Sequence, residues 1–497
     1  MLKRFIKNSF YTMVYLLIGI PLGYMVRLLL TKELSLEQFG LFYGILGFYT
    51  FISSINDFGF TETQIFFVSR YIHRKEFHKV KAAIYAQLMY QMAASLLCSV
   101  PIFFFARYIS LSIFHIPYAE PVLLIMLLYF IASDFLRCTQ TLYSAFQESE
   151  IISSFEPIRQ VMCLLGIFFI TLCAMQSEYQ MIAWLWSAVY VFLAIIYFVL
   201  FFSSHTYIFQ AKSYSILKIY SEYLPYSLPT FFANNTGLIY SFSISILLPM
   251  LKNIKEVALY NVSYPIASIL LSLISPIATL LFPITSRFDE AKNVSSIQNM
   301  ILIVINSGIF FLLPLVTLIT LYSQESIYFL FGHTYLNADV ILKIFPFYFL
   351  FLILNRFLMN ILVGLGLQKK KLRILGITSC VNLISAIIFI PKFGAIGAVT
   401  SGIVSEILIF FFVLAELRKK VFFDIPKRNY IKILFLISIF ILFHLVLKPV
   451  TSQNLFFQMI LVGVKVALSL ALYYGIGIYA CSIIDRKFIH AIVKKIV

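Results

Sequence analysis

Arg27, Arg137, Arg356 and Lys465 each interrupt a long apolar run. A guanidinium offers a planar fork of donors that matches phosphate oxygens, and it stays charged at every accessible pH. A charge at the centre of a bilayer costs roughly 2.5–3.5 kcal/mol on insertion scales, so such a group needs an anionic partner or a wet cavity. Local spacing distinguishes the four. Arg137 has Asp134 three residues back on one helix face, an internal counter-ion. Arg356 has no carboxylate within four residues, only Asn355 and Asn360. Arg27 lies near the end of its run, where it can snorkel. It follows Gly19 and Gly23, with Pro21 between them, a spacing that suits close packing or a kink. Lys465 belongs to the last apolar pair, where a lipid-facing or inter-helix role competes with ligand contact. Asn234 and Asn235 add amides in a run that also holds Pro225 and Pro229. The chemistry expected of Arg27, Arg137, Arg356, Lys465, Asn234 and Asn235 is capture of a phosphorylated ligand.

The acids within apolar runs are Asp57, Glu62, Asp134 and Glu406. A carboxylate kept from water can carry a proton or pair with sodium, so coupling to H+ or Na+ is expected, at Asp57 or Asp134 before the other two. The plainer alternative is that each balances an arginine. The cysteines (Cys98, Cys138, Cys163, Cys173, Cys380, Cys481) have no metal-ligand or redox spacing and read as small apolar residues. No cofactor is expected.

The elements that must position these residues are membrane helices. Charged residues make up 12 % and hydrophobic residues 61 % of the 497, which is no soluble composition. Runs of about 20 apolar residues, each able to cross a ~30 Å hydrocarbon core, recur throughout. The fold class is therefore all-α and polytopic, with none of the short alternating segments of a barrel. The first run is too long for a signal-peptide core and is expected to remain. Fourteen spans are expected near 9–31, 40–68, 82–106, 119–145, 155–175, 181–203, 223–248, 257–285, 297–322, 338–367, 374–391, 395–417, 431–448 and 455–480.

With that count, most of the 38 Lys and Arg residues fall on one side, in clusters such as Arg70–Lys81, Lys369–Arg373 and Arg418–Lys420. The bias places both termini in the cytoplasm of a multi-pass protein of the cytoplasmic (inner) membrane. It also accounts for the +17 charge without a nucleic-acid partner. The loop with His73 and His78 is expected to meet anionic lipid headgroups.

An internal repeat is visible. Gly40-Leu41-Phe42-Tyr43 recurs as Ala258-Leu259-Tyr260-Asn261, and the same offset carries Arg137 almost onto Arg356. Two six-helix lobes are expected, 1–208 and 209–425, with a final helix pair in 426–497. An even number of spans gives both lobes one orientation, so Arg137 and Arg356 are expected to aim at one cavity.

Thr31-Lys32-Glu33-Leu34-Ser35-Leu36-Glu37-Gln38-Phe39-Gly40-Leu41 and Asp57-Phe58-Gly59-Phe60 carry a resemblance, as do Phe282-Pro283-Ile284-Thr285-Ser286-Arg287, Phe331-Gly332-His333-Thr334-Tyr335 and Ile390 to Ala398. Over about residues 10–415 the chain resembles the polysaccharide-transporter and O-antigen (Wzx-type) flippase branch of the multidrug/oligosaccharidyl-lipid/polysaccharide exporter superfamily. The resemblance implies a fourteen-helix, MATE-like fold of two lobes. It implies movement of undecaprenyl-diphosphate-linked glycans across the membrane by alternating access. Its implied partners are the polyprenyl-diphosphate-linked glycan, membrane lipids and other glycan-assembly membrane proteins. One departure matters. Where relatives often carry an Asp-Arg or Asp-Lys pair in the seventh span, this chain has Asn234-Asn235-Thr236-Gly237.

Two other functions compete. A drug or cation exporter of the same fold favours acids in its cavity, whereas the in-span balance here leans basic. A glycan polymerase or ligase needs a sizeable outward loop with acid or metal-binding residues, and the chain has neither that loop nor an Asp-x-Asp pair. A transporter rather than an enzyme is expected.

Overall fold

In hydrocarbon an amide has no water to bond, so each apolar run satisfies its own backbone as a helix. The computed structural model describes residues 2–172, 179–234, 237–285, 294–421, 423, 427–446 and 455–480, and no strand occurs among them. In chain order the helices are α1 (Leu2–Glu33), α2 (Leu36–Asn56), α3 (Phe60–His73), α4 (Phe77–Phe104), α5 (Ala106–Ser112), α6 (Ala119–Ala145), α7 (Ser149–Leu172), α8 (Tyr179–Ser204) and α9 (Thr206–Phe209). They continue as α10 (Ile216–Asn234), α11 (Leu238–Phe242), a π-helical turn (Ser243–Leu247), α12 (Leu248–Leu251), α13 (Ile254–Thr285), α14 (Val294–Leu321), α15 (Ser323–Phe331), α16 (Ala338–Gly364), α17 (Gln368–Phe393), α18 (Ala395–Lys420), α19 (Lys427–Val446) and α20 (Leu455–Gly475). Among the described residues, ten helices are long and apolar enough to cross a membrane. If α2 with α3, and α10 through α12, count as one divided segment each, and the short α5, α9 and α15 are set aside, the described helices form fourteen segments in the expected order.

Two compact units are present. The first comprises Met1–Val262, Leu330–Tyr335 and Leu383–Ala398; the second comprises Ser263–Phe329, Leu336–Asn382 and Val399–Val497. In the first, α1 lies along α7 through Gly19, opposite Pro157, and Gly23, opposite Gln160. Tyr49 stacks on Phe130 at its centre. In the second, Ile301 and Ile305 of α14, Leu358 and Leu362 of α16 and Val413 of α18 share one apolar core. Phe310, Leu436, Phe440 and Tyr473 join α14 to α19 and α20.

The repeat extends to the helix starts. Leu36, Phe77, Ala106, Ala119, Ser149 and Tyr179 open helices whose counterparts open, in the same order and at nearly constant spacing, at Ile254, Val294, Ser323, Ala338, Gln368 and Ala395. Within the first unit two counterparts touch. A Cβ on Gly40 would lie 2.3 Å from the Ile254 carbonyl oxygen and 3.2 Å from the Cβ of Ala258, its equivalent in the repeat. Glu37 pairs at 3.0 Å with Lys255, which is likewise its equivalent. Contact between equivalent residues marks a local two-fold axis between α2 and the start of α13. The exposed ion pair adds little; the close approach depends on glycine. Gly40→Val should therefore lower the midpoint of thermal unfolding, through a loss of at least about 1–3 kcal/mol from overpacking. An unchanged midpoint in detergent would contradict that packing.

The structure departs from the expected spans at two places. Residues 40–68, read as one span, are divided: α2 stops at Asn56 and α3 starts at Phe60, because Phe58 (φ 47°) and Gly59 (φ 75°) are both left-handed. That conformation costs a phenylalanine roughly 1–2 kcal/mol. Contacts with α10 hold it in place. Phe58 stacks on Phe231 with centroids 5.1 Å apart, and a Cβ on Gly59 would strike the Ser227 carbonyl oxygen at 2.3 Å. The seventh span departs at the π turn, which separates α11 from α12. The second and seventh spans are neighbours, joined also by Tyr223 Oη donating to Gln64 Oε1 (2.7 Å) and by Phe51 against Phe242 (5.4 Å). α1 and α13, their partners in the repeat, each run through 32 residues.

Candidate functional site

A helix that ends inside a bundle leaves its last carbonyls without amide donors. At the end of α2 they are met by side chains. Arg137 Nη1 donates to the Ser53 carbonyl (2.8 Å), and Tyr90 Oη donates to that of Asn56 (2.8 Å). Arg137 Nη2 reaches Asp134 Oδ1 at 2.7 Å and Asn56 Oδ1 at 3.2 Å. Asp134 is wholly buried. It accepts further bonds from Ser53 Oγ, from Asn56 Nδ2 (2.7 Å) and from Ser95 Oγ (2.6 Å). Four donors fill its two oxygens, so the carboxylate is fully engaged in holding α2, α4 and α6 together. The Arg137 side chain remains 27 % exposed.

Arg356 is placed differently. Arg137 and Arg356 are each the nineteenth residue of a 27-residue helix, α6 and α16. At the position of Asp134 the second repeat has Ile353, and α13, the counterpart of the broken α2, offers no helix end there. Arg356 makes no hydrogen bond or ion pair among the described residues. α16 has the largest buried share of the ten membrane-length helices, 61 %. From Tyr348 to Val363 only Arg356 is exposed. Next to it Asn355 is buried, and its Nδ2 donates to both the Glu406 carbonyl oxygen (2.8 Å) and Glu406 Oε2 (2.7 Å). α16 and α18 thus bring Arg356, Asn355 and Glu406 together, and the guanidinium acts electrostatically on the carboxyl.

The remaining expected residues are distributed more widely. Arg27 donates from Nε to Tyr43 Oη (3.2 Å) and from Nη1 to the Asn261 carbonyl oxygen (2.9 Å), with its guanidinium 4.6 Å from the Tyr43 ring centre. It ties α1 to α2 and α13 in the first unit. Lys465 donates to the His444 carbonyl (3.2 Å), joining α20 to α19. Asp57 stands at the break in the second span and accepts from the Thr61 amide (3.3 Å) and hydroxyl, which caps the start of α3. Glu62 is exposed in the first turn of α3, where a helix dipole favours an acid. The side chain of Asn234 and all of Asn235 lie outside the described residues.

One buried cation escapes the sequence reading. Arg159 of α7 has an 8 % exposed side chain and makes two hydrogen bonds to Glu156 three residues back, Nε to Oε2 at 3.0 Å and Nη2 to Oε1. Its guanidinium lies 5.2 Å from the Trp186 ring centre and 5.7 Å from that of Tyr190. Placing the fifth span at 155–175 puts Arg159 at its margin, whereas the helix begins at Ser149 and carries the pair inside. The signal was Glu156 and Arg159 at i, i+3 followed by an unbroken apolar run.

Comparison with known proteins agrees with this architecture. The inward closed conformation of the lipid II flippase MurJ superposes with a TM-score of 0.74 at 14 % identity, over 93 % of this chain and 98 % of that one. An inward-facing multidrug resistance MATE family transporter of the MOP superfamily gives a TM-score of 0.64 at 14 % identity, over 82 % of this chain and 98 % of its own. The fold is that of these transporters. An uncharacterized membrane protein of Methanocaldococcus jannaschii is 24 % identical over all of this chain and 99 % of its own length. The sequence profile described as polysaccharide biosynthesis protein matches residues 5–289, more than half of the chain. The chain is a multi-pass membrane protein belonging to the polysaccharide biosynthesis protein family.

Proposed function

We propose that this protein is a flippase for a polyprenyl-diphosphate-linked oligosaccharide of the undecaprenyl or O-antigen type. On this reading it works by alternating access in the cytoplasmic membrane, with both termini cytoplasmic, and couples transport to H+ or Na+. The observation that carries the reading is Arg356, the one exposed side chain in a sixteen-residue stretch of the most buried span. A guanidinium at that depth is costly in hydrocarbon, and with no hydrogen bond or ion pair to protein among the described residues it is ready for a phosphate. Family membership supports a glycan as cargo, and the fold likeness to the lipid II flippase MurJ supports a lipid-linked one. Arg27 is a second candidate contact, since its Nη2 is not among the groups bonded to Tyr43 or Asn261. No residue is assigned a bond-breaking role, and transport requires none.

The fold likeness to MATE transporters favours a second reading, export of organic cations. A cavity for cations gains from free acids, yet Asp134 is fully bonded and Arg159 neutralises Glu156. In a strain lacking this gene, surface polysaccharide should disappear and return with the wild-type gene, while drug susceptibility stays unchanged. Lost drug resistance with intact polysaccharide would give the exporter reading precedence.

A further inference from the structure

We propose that Glu406 takes up and releases a proton as the site at Arg356 fills and empties, and that Asn355 is the group that registers that proton. The inference rests on the reading above, in which Arg356 meets the phosphate of the cargo, and supplies its coupling.

The starting point is an unfinished pair of hydrogen bonds. Both amide hydrogens of Asn355 are committed, one to the Glu406 carbonyl oxygen at 2.8 Å and one to Glu406 Oε2 at 2.7 Å. Reversing the amide would set its oxygen against those two acceptors, so the network fixes its orientation. Asn355 Oδ1 is then a buried acceptor with no partner among the described residues. Glu406 Oε1 has none there either. A carboxylic acid and an amide pair through two reciprocal bonds, and one of the two is already in place. A proton on Glu406 Oε1 supplies the other, with its O–H donating to Asn355 Oδ1. Buried amide oxygens are seldom left unbonded, so the geometry singles out the protonated acid as the state that Asn355 completes.

The charged groups around Glu406 show what moves the proton. On α16 it is Arg356 that acts on the carboxyl. α14, which shares the apolar core, carries no titratable side chain. α17 has Lys369, Lys370, Lys371, Arg373 and Lys392 toward its ends and Cys380 between them, and α18 has Glu416 and Arg418–Lys420 in its last turns. Arg356 is therefore the charge through which cargo is felt. A phosphate on the guanidinium cancels its positive field, which favours the charged carboxylate, and the proton moves from water onto Oε1. When the cargo leaves, the bare guanidinium restores the carboxylate and the proton returns to water. Atoms and charge balance at each step, and sodium has no part in the exchange.

The test uses the purified full-length protein in weakly buffered detergent with a pH-indicator dye. Farnesyl diphosphate is the probe, at a pH where it is fully ionised, and protein-free micelles are the blank. Binding should take up a proton. Glu406→Gln and Asn355→Leu should bind the probe without that uptake. Binding by the wild type with no proton uptake, or uptake that persists in Glu406→Gln, overturns the inference and leaves the flippase reading standing; so does binding that needs sodium and takes up no proton. No binding by the wild type overturns the assignment of Arg356 to phosphate and this inference with it. Should a variant not fold, infrared spectra of the wild type carry the test. A carboxylic-acid carbonyl band must grow when farnesyl diphosphate is added, and a band that does not respond overturns the proposal.

Discussion

Arg356→Ala should abolish delivery of lipid-linked glycan to the cell surface while leaving the protein inserted, monodisperse and as heat-resistant as the wild type. The two halves of that expectation have separate causes. A bidentate guanidinium–phosphate contact comprises two charge-assisted hydrogen bonds of about 1.5–3 kcal/mol each, so losing it should weaken capture of the diphosphate by about a hundredfold or more. Stability should not fall, because the Arg356 side chain bonds to nothing among the described residues and stands exposed within a span. Removing a charge from that setting relieves a cost instead of creating one. Arg356→Lys keeps the charge but loses the fork, and should recover only part of the transport. The measurement is surface polysaccharide in a complemented deletion strain, paired with the unfolding midpoint of the purified variant. Normal export by Arg356→Ala would remove the guanidinium from the substrate site and with it the observation on which the proposed function rests.

Much of this arrangement was open to inspection in the sequence, and the exceptions share one physical origin. Hydropathy places the fourteen segments because a bilayer imposes the same length on each. The repeat was visible in Gly40-Leu41-Phe42-Tyr43 and Ala258-Leu259-Tyr260-Asn261, and its offset reaches the helix starts. It also set Arg137 beside Arg356 by rank in the chain, and Asp134 beside Arg137 by helical periodicity. What no periodicity reveals is the division of the second span. Phe58 has no intrinsic preference for φ 47°, and that conformation is imposed by α10, which comes five spans later in the chain. Asp57 therefore looked like a buried acid in mid-span, where the structure has it capping α3. The contrast between the two arginines was hidden for the same reason: only a broken α2 gives Arg137 carbonyls to cap, and only an unbroken α13 leaves Arg356 without them. The bond between Asn355 and Glu406 joins two helices that are not consecutive, and spacing along one helix does not report it.

The opposite behaviour is expected of Arg137, although it occupies the same place in the first repeat. Arg137→Ala should destabilise the protein by about 3–5 kcal/mol, the usual consequence of stripping one partner from a buried ion pair. It leaves the Asp134 carboxylate buried without its counter-ion and the Ser53 carbonyl at the end of α2 without its donor. The break between α2 and α3 leaves the last carbonyls of α2 dependent on those groups, so the loss should be felt first in the second span, as faster amide hydrogen exchange near Ser53–Asn56. A partial rescue separates this structural role from phosphate binding. Asp134→Asn removes the stranded charge and, with its amide oxygen in the place of Oδ2, keeps an acceptor for Asn56 and Ser95 while its NH2 faces the Ser53 hydroxyl oxygen, so Arg137→Ala with Asp134→Asn should regain a large part of the lost stability, a non-additive outcome of the kind a coupled pair produces. Arg356 and Glu406 offer no such compensation, since Arg356 supports no carbonyl and completes no buried pair. If Arg137→Ala unfolds at the wild-type temperature and yet fails to export glycan, the cap is dispensable and Arg137 belongs with Arg356 as a ligand contact. If it loses stability and the double variant recovers it, the repeat has divided its two arginines between holding the bundle together and meeting the cargo.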